Sequence, residues 1–455
     1  MYRQALAFVI AACFAGSALA TDLAQIYDMA RASDPQLAAA ESAMAAAGEG
    51  VVQARAALLP NLSGTAQLGD SNSHGSSVSA QPAAGGGVTF GRGQSSGEST
   101  TRSYRLVLSQ SVYNHSNYTR LRGARAGPSR ASANYDVALD GLIVRVASAY
   151  FDALTATTNL DAAHAEEKAV KRQLEQAEQR FEVGLSAITD VHEARARYDA
   201  ARAAAILARN QLDDAYEALT ELTGKPVAEI KPLAEDIKLV NPEPNKLDDW
   251  VAAARAQSPA LALRRFELEQ AEHDVETARA AHLPTLAAGY DWSNQTSWGS
   301  RISNDLEFPA DSSFRDRGWG LTLNVPIFEG LATQSAVRQR SHNRDAAADA
   351  LEQESRAVVR STRNAFRSVV AGISEVEARK QAQVSAQSAL DATQAGFEVG
   401  TRTIVDVLIS QQVLFQAQRD YARARHDYLL NTLRLKQAAG TITVADLQGV
   451  NALLR

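Results

Sequence analysis

The sequence predicts an α+β membrane protein in which each chain lends four β-strands to a barrel and continues into long, coiled α-helices. Three observations carry that prediction: an internal duplication, four segments with alternating apolar residues, and two long stretches of heptad-patterned helix. Composition sets the bounds. A formal net charge of −6 over 455 residues, with 22% charged and 6% aromatic side chains, leaves no basic footprint for nucleic acid. The single cysteine, Cys13, excludes a disulfide framework and a cysteine-rich zinc module.

Arg3, the apolar run from Ala5 to Ala15 and the small-residue site Ala18-Leu19-Ala20 read as a signal peptide over residues 1–20, with the mature chain starting at Thr21. Ile10-Ala11-Ala12-Cys13 offers a second route, lipidation of Cys13, which would leave a very short signal. Beyond residue 20 no apolar stretch reaches the roughly 18 residues that a membrane helix requires. A chain that leaves the cytoplasm and still spans a membrane must then do so as a β-barrel.

The duplication is read from two fixed offsets. At 224, Pro35 meets Pro259, Leu37 meets Leu261, Val51 meets Val275, Arg55 meets Arg279, and Leu59-Pro60 meets Leu283-Pro284. At 216, Phe181-Glu182-Val183-Gly184 meets Phe397-Glu398-Val399-Gly400, Ile188 meets Ile404, Asp190-Val191 meets Asp406-Val407, and Gly224 meets Gly440. Repeat 1 therefore covers 21–224 and repeat 2 covers 247–440, with a linker at 225–246 and a tail at 441–455.

Each repeat carries one pair of strands. In the first, Leu62, Gly64, Ala66 and Leu68 alternate with polar residues over about 60–69, as do Tyr104, Leu106, Leu108 and Val112 over about 103–113. In the second, Leu286, Ala288, Tyr290 and Trp292 alternate over about 284–293, and Trp319, Leu321, Leu323, Val325 and Ile327 over about 318–328. Four such segments in matching places fit transmembrane β-strands; a soluble sheet with one wet face is the alternative. Trp292, Trp298 and Trp319 lie where an interfacial aromatic girdle would fall. Residues 69–100, rich in glycine and serine, and the polar stretch 294–316 show no periodicity and read as external loops.

The remainder reads as helix. Leu331 to Gly396 contains no proline and is 66 residues, about 100 Å if continuous. Residues 116–180 match it, although Gly127-Pro128 should break or kink that copy near its start. Val407, Leu414, Tyr421, Tyr428 and Leu435 recur every seventh residue, answered by Val191, Tyr198, Ala205, Leu212 and Leu219. The two helical hairpins turn near Gly184 and Gly400. Four strands cannot close a barrel, and open edges cannot face lipid. Two chains would give eight strands, which side chains fill; three would give twelve around a lumen.

The run from Gly400 through Thr401, Arg402, Thr403, Ile404, Val405, Asp406 and Val407 to Leu408 closely resembles the entrance hairpin of the TolC family, outer-membrane exit ducts of Gram-negative secretion and drug-efflux machines. Gly184 to Val191, Leu283 to Leu286 and Tyr428 to Gly440 share the resemblance, which spans essentially the whole mature chain. It implies a homotrimer with a twelve-stranded barrel and a long periplasmic helical tunnel, closed at its tip until a periplasmic adaptor and an inner-membrane ABC or RND transporter engage it. It implies further that three copies of Asp406 ring the pore constriction, where mutual repulsion would raise their pKa. The family's second aspartate ring falls at Ile409 and is missing. Arg402 matches an arginine that ties the inner helix pair to a neighbouring chain through positions matching Thr189 and Asp190. Phe397 replaces a tyrosine whose hydroxyl joins that network.

Catalysis finds no support. His192-Glu193 opens like a zinc-protease motif, but Ala196 stands where its second histidine would be. Gly93-Gln94-Ser95-Ser96-Gly97 fits a nucleophile elbow only in letters, inside a low-complexity stretch. There is no phosphate loop and no ligand spacing among the histidines, so no cofactor or metal is expected and energy must come from a partner. A non-conducting periplasmic coiled-coil scaffold is the competing reading.

Overall fold

The computed structural model describes residues 20–82, 84–303 and 306–455. The signal-peptide reading over residues 1–20, Cys13 included, lies outside the described residues except for Ala20. Among the described residues the elements are α1 (Leu23–Ser33), α2 (Pro35–Ala56), β1 (Asn61–Pro82), β2 (Val88–Tyr113), α3 (His115–Glu182), α4 (Ile188–Thr223), α5 (Leu247–Gln257), α6 (Pro259–Ala280), β3 (Thr285–Ser303), β4 (Leu306–Pro309), β5 (Ser312–Asn324), α7 (Ala332–Glu398), α8 (Ile404–Ala438) and α9 (Val444–Asn451). They fall into two compact units. One comprises Ala46–Ser129 and Phe266–Ala348 and holds the sheet; the other ends its first stretch at Ala45 and adds Arg130–Arg265 and Asp349–Arg455.

In the first unit the strands lie antiparallel in the order β1-β2-β3-β5, with short β4 on the far end of β3. The register aligns the apolar positions predicted from their alternation. Leu62 faces Leu108, Leu108 faces Tyr290, and Tyr290 faces Trp319. Gly64 faces Leu106, which faces Trp292. One face is thus a continuous apolar band, yet Leu62, Leu68, Trp319, Leu321 and Leu323 are all more than 60% exposed. The other face is polar and carries an Arg105–Asp291 ion pair at 2.6 Å. Water on the inside and an apolar solvent on the outside is the pattern of a barrel wall.

The strands also occupy the stretches expected to be loops. Residues 69–100 continue β1 and β2 up to a tight turn near Gly86, whose φ of 87° suits glycine. Residues 294–303 extend β3, with β4 and the start of β5 built from the rest. Neither face is buried there, so nothing imposes an alternating pattern. The ladder is held by backbone pairing and by cross-strand polar bonds, such as Ser71 Oγ to Ser99 Oγ at 3.0 Å and Thr100 Oγ1 donating to Asp70 at 3.1 Å. At the other end, Val325, Ile327 and Phe328 lie outside β5, which stops before Pro326; proline has no N–H to continue a ladder.

The second unit is helical. Helical structure continues through Pro128, so α3 runs unbroken for 68 residues and α7 for 67. A proline removes one helical hydrogen bond and leaves the turns on both sides to hold theirs. The duplication is visible in what α3 and α7 bury: Leu142 and Val358, Val146 and Thr362, Ala153 and Val369, Leu160 and Val376, Val170 and Ala386, and Leu174 and Leu390 are all buried at the 216 offset. Of the predicted heptad residues, Val407, Leu414, Tyr428, Leu435, Val191, Ala205 and Leu219 are buried.

Away from the two turns, where α4 also meets α8, contacts order the four helices as α4–α3–α8–α7. Leu160 and Ala163 of α3 pack on Ala205 and Ala208 of α4, Phe151 of α3 stacks on His426 of α8 with ring centroids 5.6 Å apart, and Ala386 and Leu390 of α7 pack on Val407 and Leu414 of α8. The linker closes over this layer. The Tyr150 hydroxyl donates to the Lys231 carbonyl at 2.7 Å, the Tyr428 hydroxyl accepts from and donates to the Val240 backbone at 2.9 Å, and Leu233 bridges to Leu454 beyond α9. Buried Asp34 receives Arg145 at 2.5 Å and also accepts the Leu37 backbone N–H at 3.3 Å, capping α2.

Candidate functional site

The two hairpin turns are built alike. Gly184 and Gly400 have φ of 75° and 78°, and each lets the chain leave its helix in the left-handed region. The following N–H folds back on the helix: Leu185 N donates to Arg180 O and Thr401 N to Gly396 O, both at 2.8 Å. Gly396 leaves room for the turn, because a Cβ there would stand 2.8 Å from Arg402 Cγ and force that side chain to shift. The turns are joined by a small apolar cluster in which Val170, Leu174 and Ala177 of α3 meet Val191 and Ala194 of α4 and Ile404 and Leu408 of α8.

The predicted site residues sit on and around that cluster. Thr403 and Asp406 form a capping box at the start of α8: the Thr403 N–H and hydroxyl both donate to Asp406 Oδ2 at 2.9 Å, and Asp406 N–H donates to Thr403 Oγ1 at 3.3 Å. The Thr403 backbone N–H, its hydroxyl and the nearby Arg402 guanidinium hold the Asp406 carboxyl below the usual carboxylate range. In the single protomer it is therefore a helix-capping carboxylate, ionised at neutral pH. A rise from mutual repulsion needs further copies. Exposed Ile409 and Val413 continue the Asp406 side of α8 as an apolar stripe.

The opposite turn is wired differently. Ala187 caps α4 with no side chain able to accept, and Asp190 instead receives the Ser186 hydroxyl at 2.6 Å. Thr189 is exposed. Within the protomer, among the described residues, Arg402 pairs with neither Thr189 nor Asp190. Phe397 has a partner the sequence did not reveal. The Arg180 guanidinium stands 4.9 Å above its ring, linking the end of α3 to the end of α7. Arg180 and Phe397 belong to different repeats, and only the clustering of the two turns brings them together. No group of His, Cys, Asp and Glu among the described residues is arranged to hold a metal ion.

A sheet with a wet and a greasy face in one unit, and two closely packed hairpin turns in the other, are features also found among known proteins. The sequence matches the family described as outer membrane efflux protein over residues 26–225 and 250–441, most of the chain. The chain belongs to that family. It is 37% identical over 438 residues to outer membrane protein TolC of Vibrio cholerae, covering 96% of this chain and 94% of that protein. To TolC of Escherichia coli K12 it is 35% identical, covering 97% and 86%. The alkaline protease secretion protein AprF of Pseudomonas aeruginosa is 29% identical, with 96% and 88% covered. Among solved structures, the fold is similar to CusC, with a TM-score of 0.72 at 16% identity over 93% of this chain and 92% of that one. It is also similar to the CmeC outer membrane channel of Campylobacter jejuni, with a TM-score of 0.72 at 17% identity over 95% and 90%. Like these relatives, it is an outer-membrane protein.

Proposed function

We propose that the protein is the passive exit duct of a tripartite export system, serving type I protein secretion, multidrug efflux or both, and opened at its periplasmic tip by an adaptor and an inner-membrane ABC or RND transporter. The observation that carries the reading is the sheet. It exposes an apolar band to its surroundings, yet among the described residues β1 pairs only with β2 and the long edge of β5 pairs only with β3. Unpaired edges cannot stand in lipid, and joining them copy to copy closes a barrel. Three copies give twelve long strands, room for a lumen, and an outer surface of Leu, Tyr and Trp against outer-membrane lipid. Relatives named for protease secretion and for efflux support both kinds of cargo. A single duct chemistry suits this breadth, because the wall need only let pass what the pump delivers.

In the trimer three Asp406 carboxylates converge on the axis as the constriction and attract cations. Arg402 reaches Thr189 and Asp190 of the neighbouring copy to hold the entrance shut, and Phe397 supports the turn through Arg180 without the hydroxyl bond a tyrosine would add. Single-channel conductance in a planar bilayer tests the proposal. Wild-type protein should give discrete cation-selective openings, larger in Arg402→Ala, and Asp406→Ala should lose the selectivity. Unaltered selectivity in Asp406→Ala would place the filter elsewhere. Inserted protein that conducts in neither wild-type nor Arg402→Ala form, or a monomer soluble without detergent, would favour the periplasmic scaffold.

A further inference from the structure

The order α4–α3–α8–α7 leaves α4 at one edge of the helical layer and α7 at the other. In a head-to-tail ring of copies, α7 of one meets α4 of the next. The duplication says what that junction should be, because α7 repeats α3 and α4 repeats α8. The junction between copies therefore repeats, at the 216 offset, the α3–α8 junction inside the chain.

That internal junction has a clear antiparallel register. Gln437 Nε2 donates to Asp140 O at 3.4 Å, and eleven residues along each helix Phe151 stacks on His426. Between these points the facing residues are apolar: Val144 and Ala147 on α3, Leu433 and Leu430 on α8, with Ala147, Leu430 and Leu433 buried. Adding 216 to the α3 positions gives Arg356, Arg360, Arg363 and Arg367 on α7. Subtracting 216 from the α8 positions gives Glu221, Glu217, Asp214 and Asn210 on α4. All eight are exposed in the protomer. An apolar seam inside the chain has become four arginines on one edge and three carboxylates with an amide on the other, at matching positions. Like charges at such spacing weaken a helix on its own, so each stripe gains from its opposite.

We propose that the α7 arginine stripe of one copy and the α4 acidic stripe of the next form the joint between protomers, with Arg356 opposite Glu221, Arg360 opposite Glu217, Arg363 opposite Asp214 and Arg367 opposite Asn210. The occupant of the stripe is thus a second copy of this chain. The inference rests on the trimer proposed above and specifies its contact and register. Charge complementarity of this kind selects partner and register more than it adds raw affinity.

Paired cysteines give the direct test, since the only native cysteine is Cys13. Full-length protein carrying Arg360→Cys and Glu217→Cys, treated in detergent with a short bis-maleimide linker, should yield covalent dimers and trimers on denaturing gels. The off-register pair Arg360→Cys and Asn210→Cys should yield few. Charge reversal supplies the second arm. Arg360→Glu with Arg363→Glu, or Glu217→Arg with Asp214→Arg, should lower the temperature at which the trimer dissociates, and the four changes together should restore most of the loss. A trimer that links neither pair, links both alike, or shows no recovery in the fourfold variant overturns the joint while leaving the trimer standing. A wild-type chain that is not trimeric overturns the trimer itself.

Discussion

His426 should make the helical unit sensitive to acid. It is 4% exposed, stacked on Phe151, with Nδ1 2.8 Å from Thr155 Oγ1. Thr155 donates its own hydroxyl proton to the Phe151 carbonyl at 2.7 Å, so its oxygen is left to accept from Nδ1–H. Burial, with Arg425 adjacent, lowers the pKa of His426 from 6.5 to about 4. The folded protein thus binds this proton less readily than the unfolded chain does. The corresponding stability is complete above pH 6.5 and drains away as pH falls toward 4. That lowering is worth about 3 kcal/mol per protomer at the acid end. Asp140 works in the opposite sense: burial, helped by Asp136, raises it to about 6, so its protonated form is favoured by folding and acid should stabilise it. Wild-type protein alone would therefore mix two trends. The informative comparison is wild type against His426→Gln, melted in detergent by far-UV circular dichroism from pH 8 to pH 4. The gap between their midpoints should move by on the order of 5 °C in favour of the variant as pH falls. Parallel curves over that range would refute the assignment of a buried, neutral imidazole.

Ile409→Asp restores a second carboxylate one helical turn beyond Asp406. Block of single-channel current by trivalent cations should strengthen by about tenfold or more; unchanged block would mean that Ile409 does not face the pore. Asp34→Ala removes the partner of half-buried Arg145 and the cap of α2, a loss of about 3–5 kcal/mol, read as earlier unfolding in a urea titration followed by tryptophan fluorescence. Gly440→Ala combines a φ of 69° with a new Cβ 2.7 Å from Gln257 O. It should cost at least about 2 kcal/mol, whereas Gly449→Ala, with open space around it, should be close to neutral in the same titration.

The legible parts of the fold were those with one buried or lipid-facing side. Leu62 to Leu68 and Leu286 to Trp292 alternate because one face meets an apolar medium, and Val407 to Leu435 recur by sevens because one seam is packed. The upper parts of β1 and β2 were illegible for the converse reason: with water on both faces, serine and glycine serve as well as anything, and only the backbone ladder records that they are strands. Asp406 and the two turn glycines could be found because the repeats print them twice. The Arg180–Phe397 contact could not, since it joins residues 217 apart in sequence through the meeting of two turns. The helix through Pro128 shows a limit of another kind. A breaker acts on one hydrogen bond, and a helix of 68 residues has many more to hold it.

The length of the strands has a further consequence. β1 and β2 contain 22 and 26 residues, about 70 Å or more of chain, whereas crossing a bilayer takes about 10 residues per tilted strand. In the proposed barrel, the Ser- and Gly-rich part beyond the apolar band therefore stands outside the cell as a collar. Its integrity depends on main-chain pairing, which most small or polar side chains allow, Gly299 excepted, where a Cβ would run into the Glu98 carbonyl oxygen. That is the portion an antibody or a phage would meet first. It is also the portion whose amino acids can be exchanged with the least effect on folding, so the protein can change its outward appearance while its apolar band and its helical unit stay the same.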